Sequence, residues 1–169
     1  MRVLETERTA IRRLLPEDAA FMLGLLNDPS FIRNIGDRGV RDLEGARGYI
    51  MRSAVASHEK YGYGLDLVQL KATAEAAGIC GLVRRDYLDD PDIGFAFLPR
   101  FTGLGYAVES ATAVIEHARK VLKLPRVLAI VSPDNLRSIR VIEKTGLRYQ
   151  RMITPPGDSQ AIQLFTSDA

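Results

Sequence analysis

The sequence predicts a mixed α/β (α+β) domain whose sheet holds one strand–helix–strand core, and not a doubly wound nucleotide fold. Two observations lead there. Read along the chain, the elements run strand, two helices, three strands, helix, strand, helix, two strands. Strands therefore alternate with helices only in the second half, which gives a mixed sheet in place of a wholly parallel one. A length of 169 residues suits one domain spanning 1–169, able to bury roughly 70% of its unfolded surface around a single core.

Each element has a local reason. Thr9–Leu14 reads as the first strand, and Pro16 with Glu17 and Asp18 opens a helix. That helix should end before Pro29, with Phe21, Met22, Leu25 and Leu26 on one buried stripe. Asn34–Val40 carries two glycines and both charge signs and reads as a loop before a second helix opening near Asp42, whose apolar face holds Leu43, Ala46 and Ile50. Leu65–Leu70 and Ile79–Val83, separated by the small residues Ala72–Gly78, predict a hairpin. Ile93–Leu98 is apolar on both faces apart from Gly94, so it belongs inside the sheet, and Pro99 stops it. From Gly105, the residues Ala107, Ala111, Val114, Ala118 and Val121 recur at steps of four and three, predicting a helix to about Leu122. Val127–Val131 reads as a strand, Asn135–Thr145 as a short helix with Gly146 at its C-terminal cap, and the tail as two strands around Pro155, Pro156 and Gly157.

Composition narrows the function. Hydrophobic residues at 46% with charged residues at 26% describe a soluble globular domain. Lys plus Arg exceeds Asp plus Glu by 23 − 21 = 2, too weak a positive field to argue for nucleic acid, though a small anionic ligand stays possible. The single Cys80 excludes an internal disulfide, and His58 and His117 have no metal-ligand spacing, so neither a structural metal nor a disulfide is expected. Met1–Thr9 is charged, and no apolar run approaches a membrane span, which leads to the expectation of a cytoplasmic protein without membrane contact. Cys80 sits mid-strand between Ile79 and Gly81 and reads as a small core residue.

The most informative stretch is Pro99-Arg100-Phe101-Thr102-Gly103-Leu104-Gly105-Tyr106-Ala107, between a buried strand and the start of the long helix. Its two glycines allow close backbone approach to a ligand. Unpaired N–H groups and the dipole at the helix start suit a phosphate or pyrophosphate, to which Arg100 adds charge. The alternative, a tight connection and nothing more, stands beside this reading. GxxxxGK[ST] is absent, as are the third glycine and following acid of the dinucleotide fingerprint, so both of those ligand classes drop out. A second segment, Asn135-Leu136-Arg137-Ser138-Ile139-Arg140-Val141-Ile142-Glu143-Lys144-Thr145-Gly146-Leu147, follows the next strand and places polar residues in the first turn of the next helix.

Together these segments carry a resemblance. Arg100, Gly103, Gly105 and Ala107 in the pattern R-x-x-G-x-G-x-A, preceded by IGFAFLP and followed by NLRSIRVIEKTGL, resemble the acetyl-CoA-binding core of the GNAT N-acetyltransferases. Leu4-Glu5-Thr6-Glu7-Arg8, Asp18-Ala19 and Leu26-Asn27-Asp28-Pro29 resemble the RimJ/RimL branch, the ribosomal-protein N-terminal acetyltransferases. The resemblance covers nearly the whole chain. It implies the GNAT fold: a mostly antiparallel mixed sheet of about six to seven strands, flanked by about four helices, with splayed central strands.

The resemblance also assigns roles. The strand matching Ile93–Leu98 should splay from Val127–Val131, with backbone groups of Phe97 and Leu98 holding the pantetheine arm. The amides of Phe101, Thr102, Gly103, Leu104, Gly105, Tyr106 and Ala107 should receive the pyrophosphate. Asn135 matches the asparagine that contacts the cofactor, and capping its helix is compatible with that. Arg140 and Lys144 could reach the adenosine phosphate, or form a charged solvent face. Many relatives carry a tyrosine seven residues after the asparagine as general acid, but here that position is Ile142. The N-x-x-S serine, Ser138, becomes the donor to the departing thiolate. Asp89, Asp90 and Asp92 crowd the entry to the central strand, and Asp92 is the first choice for the base. Asp37, Arg38 and Arg41 are assigned to substrate selection. The expected reaction is acetyl transfer from acetyl-CoA to a primary amine in a ternary complex, the acceptor being a protein α-amine or a small molecule such as an antibiotic, polyamine or amino acid. A non-catalytic acetyl-CoA sensor is the alternative from another class. Exposed terminal strands leave both monomer and homodimer open.

Overall fold

The structure, a computed structural model, describes residues 2–167. Among these, eight strands are present: β1 (Arg2–Glu5), β2 (Thr9–Arg13), β3 (Leu65–Leu70), β4 (Ala76–Val83), β5 (Asp92–Phe97), β6 (Leu128–Val131), β7 (Arg148–Ile153) and β8 (Ile162–Thr166). They form one sheet in the order β1-β2-β3-β4-β5-β6-β8-β7. Every neighbouring pair is antiparallel except β5 and β6, which are parallel. The helices are α1 (Ala19–Leu26), α2 (Pro29–Asn34), α3 (Leu43–Ile50), α4 (Ala56–Tyr61), α5 (Tyr106–Lys120) and α6 (Leu136–Lys144).

The two faces of the sheet are covered by different helices. On one, α5 buries Ser110, Ala111, Val114 and Ala118 against strand residues that include Val68, Cys80, Ile93 and Phe97, and α6 adds Ile142. On the other, Met22, Leu25 and Leu26 of α1, Phe31 of α2 and Ala46 and Ile50 of α3 pack over Leu67 and Ile79. Leu67 and Val68 thus face opposite layers, as the two-residue period of a strand requires. Each fully buried Leu, Met or Ile of these layers contributes roughly 1.5–3 kcal/mol over leaving it in water.

The structure adds detail to the sequence reading in four places. β1 extends the sheet at a segment whose charged residues hid it. The first helix stops at Leu26, and Asp28 caps a separate helix, α2, in a stretch before the expected loop to which the sequence reading gave no element; its side chain accepts from the Ser30 N–H at 3.0 Å. The second helix continues past Ile50 through a π-helical stretch, Met51–Val55, into α4, which Gly62 ends with φ 81°. Leu43 of α3, read as apolar-face, is 43% exposed, whereas Ala46 and Ile50 are fully buried.

β4 begins at Ala76, three residues before the expected Ile79, because its small residues serve strand packing and not a loop. A Cβ at Gly78 would stand 2.4 Å from the Ala96 carbonyl oxygen and 2.7 Å from the Phe97 ring. Gly78→Ala is therefore expected to cost roughly 1–3 kcal/mol by overpacking. Urea unfolding checks this, and an unchanged midpoint would show that the strand pair yields without strain.

Candidate active site

β5 and β6 share a single register pair, Asp92 with Leu128, supported by the Leu128 N–H donating to the Pro91 carbonyl at 2.9 Å. Beyond that pair the strands part. On its other side β5 stays paired with β4 throughout, and the Leu98 N–H donates to the Ala77 carbonyl at 3.0 Å. Alternation along the strand then turns the main-chain N–H and C=O of Phe95 and Phe97 toward the gap. Phe97 presents its main-chain groups to the gap, whereas Leu98 is not available: its N–H goes to Ala77 and its carbonyl accepts from the Phe101 N–H at 2.9 Å. Phe95, absent from the sequence reading, faces the gap by the same two-residue period.

The gap opens into a cleft of about 940 Å³ that both helical layers reach. Its lining includes Phe97, Phe101, Thr102, Gly103, Gly105, Tyr106 and Ala107 from the strand–helix turn, and Asn135, Ser138, Arg140 and Lys144 from α6. Gly103 and Gly105 have φ of 75° and 87°, the left-handed region that favours glycine. The Phe101 and Thr102 N–H groups are spent on the Leu98 and Pro99 carbonyls. Among the described residues, no acceptor takes the N–H groups of Gly103 through Val108. Six amides at the start of a 15-residue helix make an anion site.

Arg8 props this turn from behind. Its guanidinium donates to the Leu104 carbonyl at 3.0 Å and to Glu109 Oε1 at 2.8 Å, and lies 4.4 Å from the Tyr106 ring centroid. Burial would raise the Glu109 pKa, but hydrogen bonds from Thr6 and Arg8 hold it below the usual carboxylate range. Leu104, its carbonyl taken by Arg8, is absent from the lining, as is Arg100, which pairs with Glu75 at 3.3 Å and lies against the Phe101 ring.

At the start of α6, Asn135 Oδ1 accepts from the Ser138 N–H at 3.2 Å, so the asparagine is the helix cap. Half-buried Ser138 lines the cleft, and its hydroxyl has no hydrogen-bond partner among the described residues. Arg137 Nη1 donates to Thr102 Oγ1 at 3.0 Å and so ties α6 to the turn. Ile142, where a tyrosine general acid would stand, is 2% exposed in the core.

Of Asp89, Asp90 and Asp92, around the start of β5, only Asp92 lines the cleft. Asp90 pairs with Arg126 at 3.2 Å, and the Asp89 carbonyl accepts from Arg84. Asp92 is fully buried where the strands part and pairs with Arg85 at 2.8 Å. Burial lifts its pKa above the ordinary aspartate value, against the pull of Arg85. Arg85 and Tyr87 also reach the cleft, and no spacing in the sequence announced the ion pair across seven residues.

The remaining wall comes from α2 and the loop after it. Arg38 lines the cleft, as does Arg33, which the sequence reading missed. Asp37 and Arg41 do not: they pair with each other at 2.5 Å, and Arg41 also donates to Asn27 Oδ1, bracing the loop. Cys80 of β4 is buried in the core, its thiol pushed far up by burial, which removes it as a nucleophile. His58 forms a buried pair with Asp66 at 2.7 Å, away from the cleft. Among the described residues no group of His, Cys, Asp and Glu could hold a metal, and no helix is long and apolar enough to cross a membrane.

Comparison with known proteins agrees with this architecture. The family described as "Acetyltransferase (GNAT) domain" matches residues 8–148. The uncharacterized protein YkkB of Bacillus subtilis is 31% identical over 153 residues, covering 89% of this chain and 87% of its own. An acetyltransferase structure from Agrobacterium tumefaciens superposes with a TM-score of 0.81 at 26% identity, covering 96% of this chain and 92% of that one. The fold is also that of RimL, a ribosomal L7/L12 alpha-N-protein acetyltransferase solved with coenzyme A, with a TM-score of 0.84 at 16% identity, covering 98% and 97%.

Proposed function

This chain belongs to the GNAT acetyltransferase family and is an acetyl-CoA-dependent acyltransferase, and from that premise we propose that it acetylates a primary amine by direct attack in a ternary complex. One observation carries the reading: the parted strands β5 and β6 and the uncommitted amides of Gly103 and of Gly105–Val108 border the same cleft. In it, the pyrophosphate takes the N–H groups of the turn, the pantetheine arm runs along the free edge of Phe95 and Phe97, and Arg140 and Lys144 face the adenosine phosphate.

The chemistry then has a residue for each proton. The neutral amine attacks the thioester carbonyl, whose developing charge a strand N–H stabilises. A C–N bond forms, the C–S bond breaks, and the thiolate takes a proton from the Ser138 hydroxyl, which regains one from solvent. Asp92 takes the proton that the amine sheds and returns it to solvent. A protein α-amine is the first acceptor class to consider, in keeping with the RimJ/RimL resemblance, because its pKa of about 7.7–8.0, against about 10.4 for lysine, asks less of a base.

Thiol release from acetyl-CoA against a panel of amines and short peptides, with products read by mass spectrometry, tests the proposal. Acetylated product with stoichiometric thiol is expected; tight binding without release on any acceptor would favour a sensor. The cofactor assignment has its own check. In Gly105→Val a β-branched residue must adopt φ 87° with its Cβ 3.0 Å from Arg8 Nη2, so coenzyme A binding should weaken roughly tenfold or more. Unaltered affinity by calorimetry would remove the turn from the binding site.

A further inference from the structure

We infer that the acceptor is an amine that also bears an anionic group, a carboxylate or a phosphate, recognised by Arg33 and Arg38; this rests on the acetyl-transfer reading above. The cleft reaches both faces of the sheet. α5, α6 and the amide turn lie on one face, sharing a core with Ile93 and Phe97. α2 and Val40 of the following loop pack on the other, over Leu67 and Ile79. A cofactor held on the α5 face fills that side, so the amine reaches the thioester from the α2 face.

The charge on the α2 face is one-sided. Its contribution to the cleft is Ser30, Phe31, Arg33, Asn34, Ile35 and Arg38, with no carboxylate. Neither Arg33 nor Arg38 has an ion-pair partner among the described residues, and the local acids are occupied: Asp37 by Arg41, and Asp28 as the cap of α2. Of the other carboxylates lining the cleft, Asp92 is matched by Arg85, while Asp134 precedes α6 and Asp158 sits in the turn between β7 and β8. Exposed guanidinium groups aimed at a substrate site pair best with carboxylate or phosphate, through two parallel N–H donors. The same two charges repel a polycation, which sets spermidine-like and aminoglycoside acceptors apart.

The test is a matched panel with the intact protein and acetyl-CoA. A free amino acid is compared with its amide, glucosamine 6-phosphate with glucosamine, and a short peptide with an acidic second residue with its lysine counterpart, with spermidine alongside. Higher kcat/KM for the anionic member, by roughly tenfold or more within at least one pair, is expected, and the pair that responds identifies the source of the charge. Arg33→Gln combined with Arg38→Gln should erase that preference through KM. Both side chains are exposed, and unchanged coenzyme A affinity shows that the variant is folded. Equal rates across every pair, or a preference for spermidine, would overturn the inference while leaving acetyl transfer standing. Absence of thiol release with every amine would overturn the transfer reading and this inference with it.

Discussion

Asp92→Ala is expected to lower stability by roughly 3 kcal/mol and to abolish measurable turnover. Removing one partner of a buried ion pair leaves the other charge uncompensated, typically at a cost of about 3–5 kcal/mol. Arg85 keeps about a third of its side chain in water (32%), which places the expected loss at the lower end. Chemical denaturation reads the stability, and a loss below about 0.5 kcal/mol would mean that Arg85 finds solvent without penalty. The pH dependence follows from the direction of the shift. The fold raises the Asp92 pKa by burial, so the proton-linked part of its contribution to stability is fully present in acid, below its unfolded pKa, and is lost as pH rises through the raised folded value, apart from the cost of stranding Arg85 in Asp92→Ala. In the proposed role of base Asp92 would work only once ionised, so activity should climb through the window in which that stability is given up. Asp92→Asn should lose the activity and flatten that part of the stability profile. A pH–rate profile whose acid limb is the same in Asp92→Asn as in the parent would remove Asp92 from the proton path.

Ser138→Ala is expected to lower kcat by about a hundredfold or more, the usual worth of a positioned proton donor, while coenzyme A affinity stays within about twofold of the parent. The structure separates this from a structural effect. The side chain that caps α6 belongs to Asn135, and Ser138 contributes only its main-chain N–H, which alanine retains. Stability should therefore change by less than about 0.5 kcal/mol in Ser138→Ala, but fall by roughly 1 kcal/mol in Asn135→Ala. Ser138→Thr, which keeps a hydroxyl, should recover part of the rate. Full activity in Ser138→Ala would pass the donor role to water or to another group on the cleft.

The parts of the molecule that read well from sequence are those governed by local rules. The steps of four and three from Ala107 specify α5 because one helical face must be apolar, and Ala111, Val114 and Ala118 are indeed buried, whereas Val121, the last step, caps the helix end and is 64% exposed. Asn135 and Gly146 bracket α6 by cap chemistry, and Gly103 and Gly105 both take positive φ. What escaped depends on partners distant in sequence. β1 is four residues long, at the sheet edge, and held by pairing with β2. Its composition carries no core signal. The Asp37–Arg41 pair looks like any two charges in a loop, and only the fold shows that they brace each other. Arg85, Tyr87 and Arg33 enter the cleft through tertiary placement, which no periodicity encodes. The two departures near the turn, Leu98 and Arg100, have one cause: the chain leaving β5 is still attached to the sheet, Leu98 through Ala77 and Arg100 through Glu75 beside β4.

The parted strands also bear on how such a molecule can diversify. The groups they turn inward at Phe95 and Phe97, and the N–H groups of the turn beyond, belong to the main chain, which all residue types share. Most substitutions along that side alter packing without deleting a donor. The opposite wall depends on the identity of individual side chains such as Arg33 and Arg38. Under the proposed roles one wall is thereby shielded from drift while the other stays free to change, so descendants of this scaffold would exchange acceptors one side chain at a time and inherit the acetyl source intact.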